Sequence, residues 1–248
     1  MKFIKLYRLL KALFKLLNVK RIRVFLATSE MTNFDHEFTV SYSQGGEDLA
    51  LLSNLSQVIK GTYIDVGAHH PDRFSVTRHL YQRGWRGVNI EANPWLMAEF
   101  EKRRPRDINL NLAVGGRSSY EFTIFSEPAL STYNNSWKEN FIKGGAGVRK
   151  VIKIQGITLR QIIDKYFPNS APTLLNIDAE GSDLEVLHSI DFNSLESIRF
   201  PSWIMVETRE GKIYNLDSPE VRYLESFGYK MINLLPMSSL LRYIPELT

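Results

Sequence analysis

Short β-rich runs alternate with helical stretches from residue 62 onward, and this order limits the folds open to the chain more than any other feature. The predicted strands are Thr62–Val66, Gly87–Glu91, Ile108–Val114, Tyr120–Phe125, Leu174–Asp178, Trp203–Glu207 and Tyr229–Leu234. Helices are predicted near 42–60, 74–84, 94–104, 157–167, 182–190 and 218–227. Alternation at this pitch implies right-handed crossovers and a mainly parallel sheet with helices on both faces. The sequence therefore predicts an α/β fold whose ligand binds beyond the carboxyl ends of the strands.

The length and composition favour one domain. A chain of 248 residues, 44% of them hydrophobic, is long enough for a full α/β core but short for two domains. We expect this domain to span 40–248. The absence of cysteine excludes disulfides and thiolate metal sites. The polar stretch Ser126–Lys150 breaks the alternation and is expected to be either a mobile lid or a long surface loop.

The N-terminal segment is basic and amphipathic. Residues 1–26 hold eight basic side chains and no acid, whereas the rest of the chain holds 23 basic and 27 acidic ones. Because the body is slightly acidic, nucleic acid is not an expected partner. Apolar residues recur at helical spacing, which predicts an amphipathic helix over 1–30 that does not cross a membrane.

Three partners for this helix remain open. Its apolar stripe packs on the domain, on a second subunit of a homodimer, or on an anionic membrane surface. The corresponding location is the cytoplasm, with peripheral contact at the inner membrane surface. Disorder of the segment is the remaining alternative.

The strongest local motif is an apolar strand that ends in an acid and a glycine turn. Asp65 is followed by Gly67 and Ala68, and a second strand ends in Glu91. Gly67 allows close approach of the backbone, Asp65 can reach a cationic amine or a ribose hydroxyl, and Glu91 can accept bonds from ribose hydroxyls. A glycine-rich pyrophosphate loop is missing, which disfavours a nicotinamide-dependent oxidoreductase.

A third acid-bearing strand end follows Leu174–Ile177. Asp178 and Glu180 are delivered to the ligand edge of the sheet, where each is a candidate general base, metal ligand or clamp for a cofactor amine. The alternative for Glu180 and Asp183 is stabilisation of a helix N-terminus. The residues Phe74, Leu80, Tyr81 and Trp85 have the spacing of core packing.

Several motifs in order resemble the FkbM family of methyltransferases. They are Tyr42–Asp48, Ile64–Pro71, Phe74–Ser75, Thr77, Leu80–Tyr81, Gly84–Pro94, Arg106–Leu110 and Ile177–Gly181. The pattern departs mildly at Ala179, where the family more often has valine, and at Glu91, where aspartate is common. The resemblance implies a class I, Rossmann-like fold, S-adenosylmethionine as the cofactor, and methyl transfer to an oxygen of a polar small molecule or a glycan.

The resemblance, together with position along the strands, assigns residue roles. Asp65, Gly67, Ala68 and Glu91 would contact the cofactor, with the Ala113 backbone near the adenine. Asp178 would close the methionine end and also serve as a catalytic residue.

Four further residues have two open roles each. His69 and His70 are candidate bases for a substrate hydroxyl, and the alternative for each is to cap the turn. Gln44 and Glu47 either contact the cofactor or cap a helix. No metal ligand is assigned, and the competing function is a non-catalytic, cofactor-binding scaffold at a membrane.

Overall fold

A computed structural model describes residues 39–210, 213–214 and 218–245. One compact unit begins at Tyr42. The amphipathic helix predicted over 1–30 lies outside the described residues, so its packing and its membrane contact stay predictions. Within the described part of the chain, no helix is both long and apolar enough to cross a membrane.

The order of the elements is close to the predicted alternation. The helices are α1 (Glu47–Asn54), α2 (Arg78–Gln82), α3 (Pro94–Arg103), α4 (Asn135–Lys143), α5 (Leu159–Tyr166), α6 (Asp183–His188) and α7 (Pro219–Glu225). The first strands are β1 (Thr62–Val66), β2 (Arg86–Ile90), β3 (Ile108–Leu110), β4 (Ala113–Val114), β5 (Ser119–Phe125) and β6 (Val148–Ile157). The later ones are β7 (Leu174–Ile177), β8 (Trp203–Glu207), β9 (Arg209–Glu210), β10 (Ile213–Tyr214), β11 (Tyr229–Leu234) and β12 (Ser238–Tyr243).

The main sheet has seven strands in the order β11-β12-β8-β7-β1-β2-β3. Only β12 runs antiparallel to its neighbours, which confirms the predicted mainly parallel sheet. Its membership differs from the prediction in one place. Tyr120–Phe125 was expected in this sheet, but β5 belongs to a separate three-stranded sheet, β4-β6-β5, and β12 completes the seven.

Strand β1 shows that both faces of the main sheet are covered. Ile64 and Val66 pack in a buried cluster with apolar residues of α5, α6 and α7. Tyr63, on the opposite face, packs with residues of α1 and α2. Alternate side chains of one strand therefore enter two cores, as the period of two along a strand requires.

Two segments differ from their predicted structure for local reasons. The stretch Ser126–Lys150 is not merely a loop, because it contains α4 and the start of β6. Asn134 caps α4 by accepting a hydrogen bond from the Trp137 backbone N–H. Helix α1 is shorter than predicted because the Asp48 carboxylate accepts bonds from the Tyr42 backbone N–H and the Ser43 hydroxyl, which folds residues 42–46 into a turn.

Candidate active site

A cleft lies at the carboxyl ends of β1, β2 and β7 and encloses about 780 Å³ of space, part of it open to solvent. Nine of the predicted site residues line it, namely Gln44, Asp65, Gly67, Ala68, His69, Glu91, Ala113, Asp178 and Glu180. The edge of the sheet therefore brings together most of the residues that the sequence singles out.

Asp65 is buried at the base of the cleft and is held on both oxygens. Its Oδ2 accepts a hydrogen bond from the Thr77 hydroxyl at 2.6 Å, and its Oδ1 accepts one from the Asn176 amide at 2.8 Å. Burial raises the pKa of Asp65, whereas these two bonds oppose the rise. A carboxylate has about four acceptor positions, so this arrangement leaves capacity for a cationic group in the cleft.

Gly67 brings the turn after β1 against the turn after β7. Its φ of 69° is left-handed, and a Cβ at this position would lie 1.8 Å from the Asp178 carbonyl oxygen. The sequence led us to expect that this glycine makes room for a ligand. The structure shows that it makes room for protein backbone, because the two turns carrying Asp65 and Asp178 meet there.

Glu91 follows β2 and is 7% exposed. Its Oε2 accepts a bond from the His69 backbone N–H at 2.9 Å and its Oε1 accepts one from the Asn93 backbone N–H at 2.6 Å. Burial raises the pKa of Glu91 to about 7, although both bonds act in the opposite direction. The carboxyl group is thus fixed in orientation and changes charge near neutral pH.

We expect S-adenosylhomocysteine, the product form of the cofactor that the resemblance implies, to bind more tightly as the pH rises through about 7. Ribose hydroxyls are expected to donate to the ionised form of Glu91, whose pKa is about 7, so affinity should be up to about tenfold lower at pH 6 than at pH 8. Isothermal titration calorimetry at both pH values measures this difference.

Glu91→Gln is the control for this dependence. The amide cannot ionise, and one end of it would place an N–H against a backbone N–H, so binding should be weak at both pH values. In the unliganded protein the raised pKa has the opposite effect on stability. Glu91 stabilises the fold most below its ordinary pKa of 4.5 and loses that contribution as the pH rises to about 7. A wild-type affinity that does not change with pH would exclude Glu91 from the ribose site.

His69 lines the cleft, but its accepting nitrogen is already engaged. Its Nε2 lies 3.1 Å from Nη1 of Arg73, and because a guanidinium only donates, the proton of the neutral ring is assigned to Nδ1. Burial, reinforced by the Arg73 charge, lowers the pKa of His69 to about 4. These contacts make it a weak proton acceptor. Arg73 in turn binds both carboxylate oxygens of Glu127.

His70 and Glu47 do not line the cleft. The Nδ1 atom of His70 accepts bonds from the backbone N–H groups of Asp72 and Arg73 at 3.0 and 3.1 Å, which is the turn-capping role. Because that acceptor is engaged, the geometry does not support the prediction of His70 as a base. Glu47 accepts a bond from the Gly45 backbone N–H.

A smaller cavity of about 300 Å³, termed here the side cavity, adjoins the cleft. Its lining residues are Gln44, Glu47, Phe74, Asp178, Glu207, Met237 and Ser238. Phe74 was predicted in the core, together with Leu80 and Trp85, which are buried there. It instead adopts a φ of 56° and borders both spaces. Gln44 and Asp178 also border both.

The two acids Asp178 and Asp183, in and after the turn that follows β7, have different surroundings. Asp178 lines both spaces, whereas Asp183 is buried and accepts bonds from the Ala179 and Gly181 backbone N–H groups. Asp183 is the first residue of α6, and its carboxylate holds the turn that precedes this helix, which is a structural role. Burial raises its pKa to about 6.

One wall of the cleft was missed by the sequence analysis. Pro128, Ala129, Ser131, Thr132 and Tyr133 all line it. Bonds from the Thr132 hydroxyl to the Glu180 carbonyl and from the Asn134 amide to the Gly181 carbonyl hold this segment to the β7 turn. The only signal for this role was a polar segment that also carried aromatic residues.

Comparison with known proteins gives the family. The model of the FkbM methyltransferase domain matches residues 65–231, about two thirds of the chain. The chain belongs to the FkbM methyltransferase family. Its cofactor is S-adenosylmethionine. A search of curated proteins finds no match.

Solved structures resemble this FkbM methyltransferase only distantly. Precorrin-6y C5,15-methyltransferase from Geobacter metallireducens is 13% identical, with a TM-score of 0.42 over 80% of this chain and 87% of that one. A TehB-like SAM-dependent methyltransferase from Corynebacterium glutamicum is 10% identical, with a TM-score of 0.39 over 81% and 88%. No conclusion about the FkbM methyltransferase is based on similarities this weak.

The residues of the cleft fit the FkbM cofactor. Leu112, Ala113 and Phe122 form an apolar part suited to an adenine ring, and the buried acids Asp65 and Glu91 suit an amine and a ribose. Among the described residues, no group of three or more His, Asp or Glu side chains could hold a metal ion.

Proposed function

We propose that this FkbM methyltransferase transfers a methyl group to a hydroxyl oxygen of a polar acceptor, such as a sugar of a glycan or glycolipid. One observation carries the proposal. Asp178 stands where the cleft meets the side cavity, so a single acidic residue borders both the cofactor space and the adjoining space. A proton acceptor for an incoming hydroxyl belongs at such a junction.

The cofactor orientation follows from the chemistry of the cleft. The apolar part at Ala113 takes the adenine, Glu91 accepts the ribose hydroxyls, and Asp65 with Asp178 receives the positively charged methionine amine. Charge-assisted hydrogen bonds of this kind are the stronger ones in proteins. This orientation points the reactive end of the cofactor toward the side cavity.

The side cavity suits an acceptor rich in hydroxyl groups. Its lining includes two acidic residues, Glu47 and Glu207, two neutral polar residues, Gln44 and Ser238, and Phe74, which is apolar. Acidic groups accept hydrogen bonds from sugar hydroxyls and repel anionic acceptors. These features favour a neutral, polyhydroxylated molecule.

The protein's part in the reaction is alignment, exclusion of water and removal of one proton. S-adenosylmethionine supplies a methyl group on a positively charged sulfur, a good leaving group. Asp178 accepts the proton of the acceptor hydroxyl, and the walls of the cleft exclude water from the reacting atoms. His69 is the weaker candidate for this proton, because Arg73 already contacts its accepting nitrogen.

The proposal is tested by incubating the protein with cofactor labelled in the methyl group and fractionated neutral and anionic glycans and glycolipids. We expect label in a neutral fraction, bound through an ether linkage that resists mild base. Calorimetry with S-adenosylhomocysteine and with NAD is the companion measurement. Binding of the former without transfer to any fraction would favour the non-catalytic scaffold, and label on nitrogen or carbon would contradict the choice of oxygen.

A further inference from the structure

Arg104, directly after α3, is a fully buried cation. Its side chain is 1% exposed, and its guanidinium donates to the Thr77 hydroxyl at 2.7 Å, the Ser75 hydroxyl at 2.7 Å and the Pro71 carbonyl at 2.6 Å. Burying a charge is costly unless its bonds are satisfied and an opposite charge is near. The free-energy cost of burying the Arg104 charge beneath the cleft indicates that this residue has a function there.

The hydrogen bond that Arg104 donates to Thr77 determines the direction of the bond between Thr77 and Asp65. A guanidinium has no acceptor, so the Thr77 oxygen accepts from Arg104 and must direct its own proton elsewhere. That proton goes to Oδ2 of Asp65, 2.6 Å away. Because the Asn176 amide donates to the other oxygen, both oxygens of Asp65 are kept as acceptors, which is the arrangement of an ionised carboxylate.

We propose that Arg104 is a positioning residue that acts through Thr77 to keep Asp65 ionised and oriented for the amine of the cofactor. The inference rests on the proposed role of Asp65 in the cleft. Arg104 itself does not line the cleft, so its effect on binding passes through the Thr77 hydroxyl.

The charges around Asp65 agree with this role. Arg104 lowers the pKa of Asp65, and Asp107, which precedes β3, raises it. Glu91 after β2 is a second buried acid coupled to Asp65, and the Tyr63 hydroxyl on β1 bonds to Asp107. On the flanking strands β2 and β7, the residues opposite Asp65 are the neutral Asn89 and Asn176. Arg104 is therefore the cation among the groups that act on Asp65.

The decisive variants are Thr77→Val and Thr77→Ser. Valine keeps the shape of threonine without the hydroxyl, whereas serine keeps the hydroxyl. Thr77 precedes α2, but its side chain makes no capping bond to that helix, so removing the hydroxyl does not uncap it. Calorimetry with S-adenosylhomocysteine between pH 5.5 and 9 compares both with the wild type.

We expect Thr77→Val to bind about tenfold more weakly at neutral pH, the loss of about one charge-assisted bond. Its affinity should recover at higher pH, so the midpoint of its pH profile should lie above the midpoint of about 7 that Glu91 gives the wild type. Thr77→Ser should retain the wild-type affinity and midpoint. Arg104→Gln, which removes the charge but keeps an amide donor, should shift the midpoint in the same direction and is the readout if Thr77→Val does not fold.

An unchanged affinity and pH profile in Thr77→Val, or in folded Arg104→Gln, would overturn the positioning role. A uniform loss of affinity without a shift of the midpoint would also overturn it, because a merely structural defect acts equally at all pH values. Failure of the wild type to bind S-adenosylhomocysteine would instead refute the proposed cofactor site. The two failures are therefore distinguishable.

Discussion

Gly67→Ala is expected to destabilise the domain severely. The new Cβ would lie 1.8 Å from the Asp178 carbonyl oxygen, and the backbone at this position has a φ of 69°, which disfavours any residue with a side chain. The obstacle is backbone at the centre of a parallel sheet, so it cannot move aside as a flexible side chain would. We expect a loss of several kcal/mol in the free energy of unfolding, a large part of the 5–15 kcal/mol typical of a domain. Urea denaturation followed by circular dichroism measures it.

Gly116→Ala is the matched control for this change. A Cβ at Gly116 meets no atom within 4 Å, and this glycine is exposed between β4 and β5. Its stability should stay within about 0.5 kcal/mol of the wild type, or rise slightly. If Gly67→Ala were as stable as Gly116→Ala, the close approach of the two turns would be wrong.

Asp178→Asn is expected to leave the fold intact and to slow methyl transfer by about 10²- to 10⁴-fold, the usual contribution of a general base. The amide has the size of the acid but cannot take the proton of an acceptor hydroxyl. The initial rate of label transfer at saturating cofactor and acceptor measures the effect. A partial loss of cofactor affinity is also expected, because Asp178 is assigned to the methionine amine as well.

Asp164→Asn provides the corresponding control. Asp164 lies on α5, outside the cleft lining, and pairs with Arg160 and Arg199 at the surface. Exposed pairs of this kind contribute little, so transfer should proceed at the wild-type rate. A pH profile of the rate would show whether another group replaces Asp178. Wild-type turnover in Asp178→Asn would return this residue to a purely structural role and leave Glu180 as the next candidate.

The main sheet was predictable because its central strands, β2, β1, β7 and β8, are buried apolar runs that end in acids or turns. Thr62–Val66, Trp203–Glu207 and Tyr229–Leu234 have the predicted bounds. By contrast, β12 and most of β6 were missed. The first six residues of β6 are exposed or partly exposed. Its pairing with β5 is made by backbone hydrogen bonds, which leave no regular alternation of apolar residues in this part of the sequence.

The sequence predicts the cleft residues that lie at the ends of strands, because the end of a strand determines where its side chains lie in the sheet. Asp65 lies near the end of a parallel strand, and Glu91 and Asp178 each directly follow one, so the sheet necessarily brings these positions to one edge. Their hydrogen-bond partners were not predictable. Thr77 and Arg104 reach Asp65 only through the packing of α2 and α3, and the capping role of His70 depends on a turn conformation that its residue type does not specify.

The wall formed by residues 128–133 links the binding of the cofactor to the position of the proposed proton acceptor. Two side-chain bonds, from Thr132 and Asn134, end on the backbone of Glu180 and Gly181, within three residues of Asp178. Hydrogen bonds of this kind contribute about 1 kcal/mol each. They join the wall of the cleft to the turn that follows Asp178, so the same contacts set the shape of the cofactor space and the position of the proposed proton acceptor. A substitution that loosens the wall should therefore disturb cofactor binding and methyl transfer together.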